Sequence, residues 1–270
     1  MGQSPQTPIA VTIAGSDSGG GAGVQADLKT FSALGVYGAS VLTALTAQNT
    51  KGVTGIHDVP AEFVAAQIDA VFSDLDVGAV KIGMVSQGPV IETIAAGLAR
   101  WKQTKVVVDP VMIATSGDKL LAPDAIDVLK RVLIRCALVI TPNLPEAAAL
   151  LDAPIAQSEA EMRAQGERLL ALGPRAVLMK GGHGSGPESV DLLVEPRACT
   201  RLAAERIATR NTHGTGCTLS SAIAAGLARG LDLAAAAKAA KTYVTDALAA
   251  STKLKIGSGH GPVHHFHAWW

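Results

Sequence analysis

The sequence predicts an α/β protein built on a mostly parallel central sheet, with helices on both faces and an antiparallel edge. Two observations lead there. Short β-rich runs, apolar on both faces as buried parallel strands are, alternate with longer stretches of helical periodicity through most of the 270 residues. Late in the chain that rhythm gives way to two adjacent strand-like runs, the pattern of an antiparallel edge.

Taken in order, IAVTIA at 9–14 is the first strand, and a glycine-rich stretch leads from it into a helix over 24–34. A second strand is expected at 39–44. Pro60 opens a helix over 60–75, a position where the missing N–H costs nothing. Strand 79–82 is followed by a helix over 89–101 that again starts on a proline, and strand 105–109 by a polar loop, VMIATSGDKLLA, at 111–122. That loop follows a buried strand, and in open α/β sheets ligands sit beyond the carboxyl ends of strands, so it is a candidate lid. A helix over 123–132, a strand at 137–140, a helix over 159–172 and a strand at 176–179 continue the alternation. The edge strands are expected at 189–194 and 200–207, and two alanine-rich helices over 218–229 and 233–253 close the chain. No linker, charge block or internal repeat divides it, which predicts a single domain over 1–270.

Composition removes several classes of function. The 23 Lys and Arg balance 23 Asp and Glu, so the chain lacks the basic footprint of a nucleic-acid or anionic-membrane binder. Hydrophobic residues at 48% exclude disorder, and aromatics at 3% leave little for base stacking. Mean hydropathy is +0.30, yet every apolar run meets Gly, Pro or charge well short of the roughly 18 residues a membrane span needs. The start MGQSPQTPIA has neither a signal-peptide pattern nor the Ser or Thr of a myristoylation site. Cys136, Cys199 and Cys217 are odd in number and form no CxxC, which fits a reducing, cytoplasmic setting.

Two glycine-rich segments carry the chemistry. In GSDSGGGAGVQADLK, Gly15, Gly19, Gly20, Gly21 and Gly23 allow close backbone approach to a ligand, with Asp17 and Asp27 as acceptors beside them. Gly21, Gly23 and Ala26 match the dinucleotide pattern GxGxxA. The carboxylate that should come about 20 residues on is absent, and the chain has Gln48 and Asn49 there. The other segment, 211–218, reads NTHGTGCT and runs into a long helix. Gly214 and Gly216 let successive N–H groups converge where the helix is positive, a nest for an anion, and the same field is expected to lower the thiol pKa of Cys217. Cys217 is then either a nucleophile or base, or a small buried helix residue. Neither a Walker A nor a GxSxG motif occurs.

Seven segments in register, GSDSGGGAGVQADLKTF, LTALTAQNT, VKIGM, VVVDPVM, TPNLPEA, MKGGH and NTHGTGCT, make the chain resemble the hydroxymethylpyrimidine/phosphomethylpyrimidine kinases of thiamin biosynthesis, members of the ribokinase-like superfamily. The likeness runs from Ile13 to the terminal GPVHHFHAWW. It implies a ribokinase-like three-layer sandwich and an ATP- and Mg²⁺-dependent phosphotransferase acting twice on one pyrimidine. The first product would be the monophosphate of 4-amino-5-hydroxymethyl-2-methylpyrimidine, and the second its diphosphate. Carried over by residue, Gln48 would bind the pyrimidine, with Asp27, Gly15, Met84 and Val111 lining its pocket. Asn143, Lys180 and Thr212 would meet the nucleotide, while Glu146 and Asp109 would hold the metal. Gly214, Thr215 and Gly216 would form the anion hole, and Cys217 takes the place where ribokinase-like sugar kinases have a catalytic aspartate. The likeness also implies a homodimer. Where the family often has a second Ser or a Pro-Ser pair in the first loop, this chain has Ser18 and Gly19, so a hydroxyl contact is not assumed there.

The residues themselves agree: Gln48 offers one acceptor and two donors to an aminopyrimidine edge, and Met84 is a polarizable partner for a flat ring. Phosphoryl transfer asks mainly for positioning and charge stabilisation, which a nest, one lysine and two carboxylates can supply. Two rivals stand beside this reading: a pyridoxal kinase of vitamin B6 salvage, and a non-catalytic pyrimidine or nucleotide sensor. His183 and His213 lie in candidate phosphate loops, and the tail histidines 264, 265 and 267 are expected to belong to a packed or surface tail rather than to a metal site.

Overall fold

A computed structural model describes residues 6–112, 123–182 and 186–270. Strands β1 (Ile9–Ala14), β2 (Tyr37–Leu42), β5 (Ala79–Ile82), β6 (Val106–Val108), β7 (Val139–Ile140), β8 (Ala176–Lys180), β9 (Glu188–Glu195) and β10 (Ala198–Glu205) form one sheet in the order β10-β9-β8-β7-β6-β5-β1-β2. Pairing is parallel from β2 through β8 and antiparallel for β8–β9 and β9–β10, the edge expected from the sequence.

The inner strands are buried on both faces because each face has its own apolar layer. Val11, Ile13, Val80, Ile82, Val106, Val108, Val177 and Met179 point to one side. There they meet α2 (Ala61–Phe72), α3 (Gly88–Arg100), α4 (Pro123–Val128), α5 (Leu144–Leu151) and α6 (Glu159–Leu170). The alternate residues Ala10, Ala79, Val107, Val139, Ala176 and Leu178 meet α1 (Gly23–Ala33), α7 (Thr215–Ala228) and α8 (Leu233–Ser251) on the other side. The alanine-rich composition of the last two helices lets them approach closely. A Cβ added at Gly226 would stand 2.9 Å from that of Ala236. Among the described residues, no helix is long and apolar enough to cross a membrane.

Two regions differ from expectation. The second strand begins earlier and ends at Leu42, and the chain then leaves the sheet: Thr43 N–H donates to Ala14 O, and its hydroxyl to Met84 O. The chain next forms a separate antiparallel hairpin, β3 (Ala44–Asn49) and β4 (Gly52–Asp58), where no strands were expected. Helix α5 is also additional. Its start is a capping box in which Glu146 N–H donates to Asn143 Oδ1 at 2.8 Å and Asn143 N–H to Glu146 Oε2 at 2.7 Å. The helix expected over 123–132 is α-helical only to Val128 and continues as a π turn, Leu129–Leu133. Of the candidate lid, Val111 and Met112 are described, and residues 113–122 lie outside the described residues, as does His183.

Candidate active site

The carboxyl ends of β1, β5, β6, β7 and β8 open on a cleft of about 640 Å³. This is where a parallel sheet presents free loop residues to a ligand. Of the residues expected from the sequence, Gly15, Gln48, Met84, Asp109, Val111, Asn143, Glu146, Lys180, Thr212, Gly214, Thr215, Gly216 and Cys217 line it together.

The first loop is wound around Asp17. Its carboxylate accepts from the N–H groups of Gly19, Gly21 and Ala22 at 2.8, 3.0 and 2.8 Å and meets His213 Nε2 at 2.8 Å. Burial works to raise the pKa of Asp17, but His213 and the backbone donors outweigh it and hold the carboxyl below the usual range. His213 precedes Gly214, whose φ of +78° suits glycine, and a Cβ there would overlap the Gly21 carbonyl oxygen. The two glycine-rich loops therefore touch and are pinned by one buried carboxylate–imidazole contact.

The hairpin supplies the opposite wall. Its register slips between Ala47 and Gln48, and such a bulge re-aims a side chain next to a site. Gln48 Oε1 accepts from the Thr46 hydroxyl at 3.2 Å. The Ser18 hydroxyl, whose role the sequence left open, accepts from Gln48 N–H and donates to Gln48 O, both at 2.8 Å, tying the loop to the hairpin.

At the other end, Lys180 Nζ lies 2.7 Å from Asp109 Oδ1 and 3.8 Å from Glu146 Oε2. Thr141 also donates to Asp109 Oδ1, at 3.0 Å. Burial alone would lower the Lys180 pKa, but Asp109 and Glu146 push it well above the usual lysine value. Asp109 falls below its usual value because Lys180 and Lys81 overcome its burial. Glu146 rises to about 7, since burial and the Asp109 charge exceed what Lys180 returns. Behind Lys180, Asp191 accepts from Gly181 N–H at 2.9 Å and from Lys241 Nζ at 2.8 Å, fixing the turn that aims the lysine.

Helix α7 begins at Thr215, so Gly216 and Cys217 occupy its first turn, where N–H groups have no carbonyl four residues back. Thr215 is turned toward Thr212 O by its N–H and its hydroxyl. Two expectations need correction here. The Cys217 thiol is not lowered by the helix but pushed up to about 11. Burial dominates, Asp27 and Asp109 add to it, and Lys81 and the Gly23 N–H only partly oppose it. Asp27 does not line the pocket. It is fully buried behind the wall, accepting from Thr12 Oγ1 at 2.6 Å, Lys81 Nζ at 2.8 Å and Ser221 Oγ at 2.6 Å.

Lys81, a lysine inside an otherwise apolar strand, was not singled out from the sequence, although its position in AVKI was signal enough. Asp17 and His213 were seen but not joined, because 196 residues separate them. The tail histidines 264 and 265 are buried: the His264 ring packs on Trp270 at 4.4 Å, and His265 Nε2 meets Thr218 Oγ1 at 3.1 Å. Burial drives the His265 pKa down to about 3.

A family model described as phosphomethylpyrimidine kinase matches residues 17–264. The chain belongs to the phosphomethylpyrimidine kinase family. It is 62% identical over 264 residues to the hydroxymethylpyrimidine/phosphomethylpyrimidine kinase of Rhizobium meliloti, covering 98% of this chain and 99% of that one. The crystal structure of phosphomethylpyrimidine kinase from Clostridium difficile superposes with a TM-score of 0.79 at 47% identity, over 89% of this chain and 99% of the other. An ADP complex of Bacillus subtilis pyridoxal kinase superposes with a TM-score of 0.90 at 34% identity, over 97% and 99%.

Proposed function

We propose that this chain phosphorylates 4-amino-5-hydroxymethyl-2-methylpyrimidine with ATP, then phosphorylates the monophosphate to the diphosphate, in thiamin biosynthesis. The observation that carries this reading is the joint placement, in one cleft, of Gln48 on a bulged hairpin and of Lys180, Asp109 and Glu146 facing the first turn of α7. Gln48 reads the aminopyrimidine edge, with Gly15, Met84 and Val111 along the ring. Gly15 and Met84 are close neighbours there: a Cβ on Gly15 would require the Met84 Cε to move aside. Asn143, Lys180 and Thr212 hold the nucleotide phosphates. The N–H groups of Gly216 and Cys217 receive the charge of the transferred phosphoryl group, a preorganised arrangement that needs no rearrangement during reaction.

Asp109 and Glu146 fit a Mg²⁺ ion: they are two hard oxygen donors lining one cleft. That suits an ion which favours one or two carboxylates plus substrate phosphates. When bound, it neutralises phosphate charge.

In the first step the hydroxymethyl oxygen loses a proton, and Cys217 in its thiolate form takes it. In the second the acceptor is a phosphate oxygen, anionic near neutral pH, and no base is needed. The protein works as a single cytoplasmic kinase domain in a homodimer. A coupled ATP-consumption assay with Mg²⁺ tests the reading, with the pyrimidine, its monophosphate and pyridoxal offered separately. Turnover of both pyrimidines supports it. Turnover of pyridoxal alone moves the activity to vitamin B6 salvage, the reading favoured by the close superposition on pyridoxal kinase, and no turnover of any of the three leaves a sensor.

A further inference from the structure

Helix α7 starts in a way that leaves its first turn open. In most helices a Ser, Thr, Asp or Asn at the N-cap accepts from an N–H of the first turn. Here the N-cap is Gly214, at a φ of +78°, which has no side chain to offer. Gly216 and Cys217 border the cleft from that turn. A turn that keeps its N–H groups for a ligand has to be held from its carbonyl side. Gly214 O supplies the hold, accepting from the N–H and from the hydroxyl of Thr218, each at 2.8 Å. The Thr218 hydroxyl in turn meets Nε2 of His265 at 3.1 Å, and both residues are buried.

The direction of these contacts follows from counting hydrogens. A threonine hydroxyl has one, and Gly214 O, which can only accept, takes it. Toward His265 the hydroxyl oxygen therefore accepts, which puts the ring hydrogen on Nε2. Burial drives the pKa of the ring down to about 3, so His265 is neutral and this is the one N–H its ring carries. Threonine in a helix divides between two χ1 wells, and a fixed donor on Oγ1 favours the one that keeps the hydroxyl over Gly214 O. His265 is itself well held. The Tyr243 hydroxyl of α8 donates to its carbonyl at 2.6 Å, and the neighbouring His264 N–H donates to Ala247 O, also on α8, at 3.0 Å. Ahead of it the tail runs beside His213, whose N–H donates to Gly261 O at 3.0 Å. The donor thus reaches the start of α7 from a packed support, 47 residues away in the chain.

We propose that His265 is a positioning residue for phosphoryl transfer: its Nε2–H holds the Thr218 hydroxyl on the Gly214 carbonyl and so fixes the first turn of α7, with the N–H groups of Gly216 and Cys217 open to the cleft. The proposal rests on the reading in which that turn receives the transferred phosphoryl group. His265 touches no reactant and moves no proton; it acts through Thr218. The same phosphoryl group is transferred in both steps, so both depend on the contact to the same degree. A turn left free to rock does not weaken the hold on the pyrimidine at the other end of the cleft, but it loses the stabilisation that donors give when they are already in place.

The test compares full-length His265→Met and His265→Gln with the native protein. Methionine fills similar space without a donor, whereas the glutamine amide carries N–H where the ring carries Nε2–H. In His265→Met, kcat of both phosphorylations should fall about tenfold with KM for the pyrimidine within about twofold, and His265→Gln should return to within about threefold of native. An unchanged kcat in folded His265→Met, or Gln no better than Met, overturns the proposal. Hydrogen exchange read by mass spectrometry follows the turn without turnover. Peptides covering residues 214–219 should exchange about fivefold faster in His265→Met, over and above any change in peptides covering β5. An equal change in the two regions is general destabilisation and overturns the proposal. A native protein that turns over neither pyrimidine would sink the proposed function instead, and the exchange rates would still decide whether His265 fixes the turn. Should His265→Met fail to fold, Thr218→Val and Thr218→Ser carry the same test from the other partner. Valine keeps the shape and drops the hydroxyl, so it should lose about tenfold in kcat, while serine should stay near native. Equal kcat for the two overturns the proposal.

Discussion

Two lysine–aspartate pairs stand under this cleft at nearly the same distance, Lys81–Asp27 at 2.8 Å and Lys180–Asp109 at 2.7 Å, and they are built for different ends. The first is balanced and sealed: one ammonium meets one carboxylate whose remaining capacity is filled by Thr12 and Ser221, with both side chains fully buried. The second is unbalanced. Lys180 keeps 13% of its side chain exposed to the cleft and serves two carboxylates, and Glu146 is left with its pKa raised to about 7. A buried site with one negative charge too many is prepared for a cation, and a lysine that reaches the same space is prepared for phosphate. In the proposed function the open pair meets the reactants, while the sealed pair lies behind the wall.

The sharpest way to break this contrast is at the open pair. Lys180→Met should cut kcat of both phosphorylations by about 10²- to 10³-fold, the loss typical of removing one preorganised donor to transition-state charge. Steady-state kinetics with the pyrimidine and with its monophosphate should show equal losses. A loss confined to one step would separate Lys180 from the shared phosphoryl group.

In the proposed function Cys217 acts in one of the two steps only. Cys217→Ala should slow the first about 10²-fold, the lower end for general-base catalysis, and leave the second within a few-fold in single-turnover assays. Because burial holds the thiol near 11, the thiolate fraction in the native enzyme grows about tenfold per pH unit between roughly pH 7 and 9. The first-step rate should climb with it, and the second should not. Equal losses in both steps on substitution would make Cys217 a packing residue.

The same contrast explains what was legible in the sequence. Strand and helix alternation read correctly because the inner strands β1, β5, β6, β7 and β8 are buried on both faces and the helices between them keep their apolar period. The hairpin 44–58 escaped because β3 and β4 are not core strands: β4 has no buried residue, so the apolar rule finds nothing there. Helix α5 escaped although its capping box, Asn143 to Glu146, is written in the sequence: TPNLPEA reads as a ligand loop, and the structure makes it a helix start that lines the cleft. Motif residues gather in the cleft as expected, except Asp27, whose burial depends on Thr12, Lys81 and Ser221 arriving from three other elements. The expectation for the Cys217 pKa failed for the same reason: position on a helix is local, whereas desolvation and two carboxylates from distant segments are not.

Glu146 gives a smaller effect with a definite sign. Its folded pKa, about 7, lies above the ordinary 4.5, so the folded state favours the protonated carboxyl. The stability this contributes is complete below about pH 4.5 and lost as pH rises through 7. Glu146→Gln keeps an oxygen for the Asn143 N–H and removes the titration. The variant should therefore melt a few degrees above the native protein at pH 8, converge with it near pH 5, and require more Mg²⁺ for half-maximal rate. A constant difference across that range would mean that Glu146 stays ionised.

The smallest change is expected at the clasp between the two glycine-rich loops. His213→Ala leaves the buried Asp17 carboxylate three backbone donors and removes the fourth, a loss of about 1–3 kcal/mol for a hydrogen bond to a charged group. Neither residue meets the reacting atoms in this reading, so the loss should appear in melting temperature and in a raised KM rather than in kcat. The acid side carries the sign: Asp17 sits below 3.8 when folded, so its contribution is present above that value and lost as pH falls through the depressed pKa. Removing His213 brings the Asp17 pKa back up, and the acid unfolding midpoint should move up with it. An unchanged midpoint would show that the backbone donors alone hold Asp17, with the loops kept together by the contact of Gly21 with Gly214.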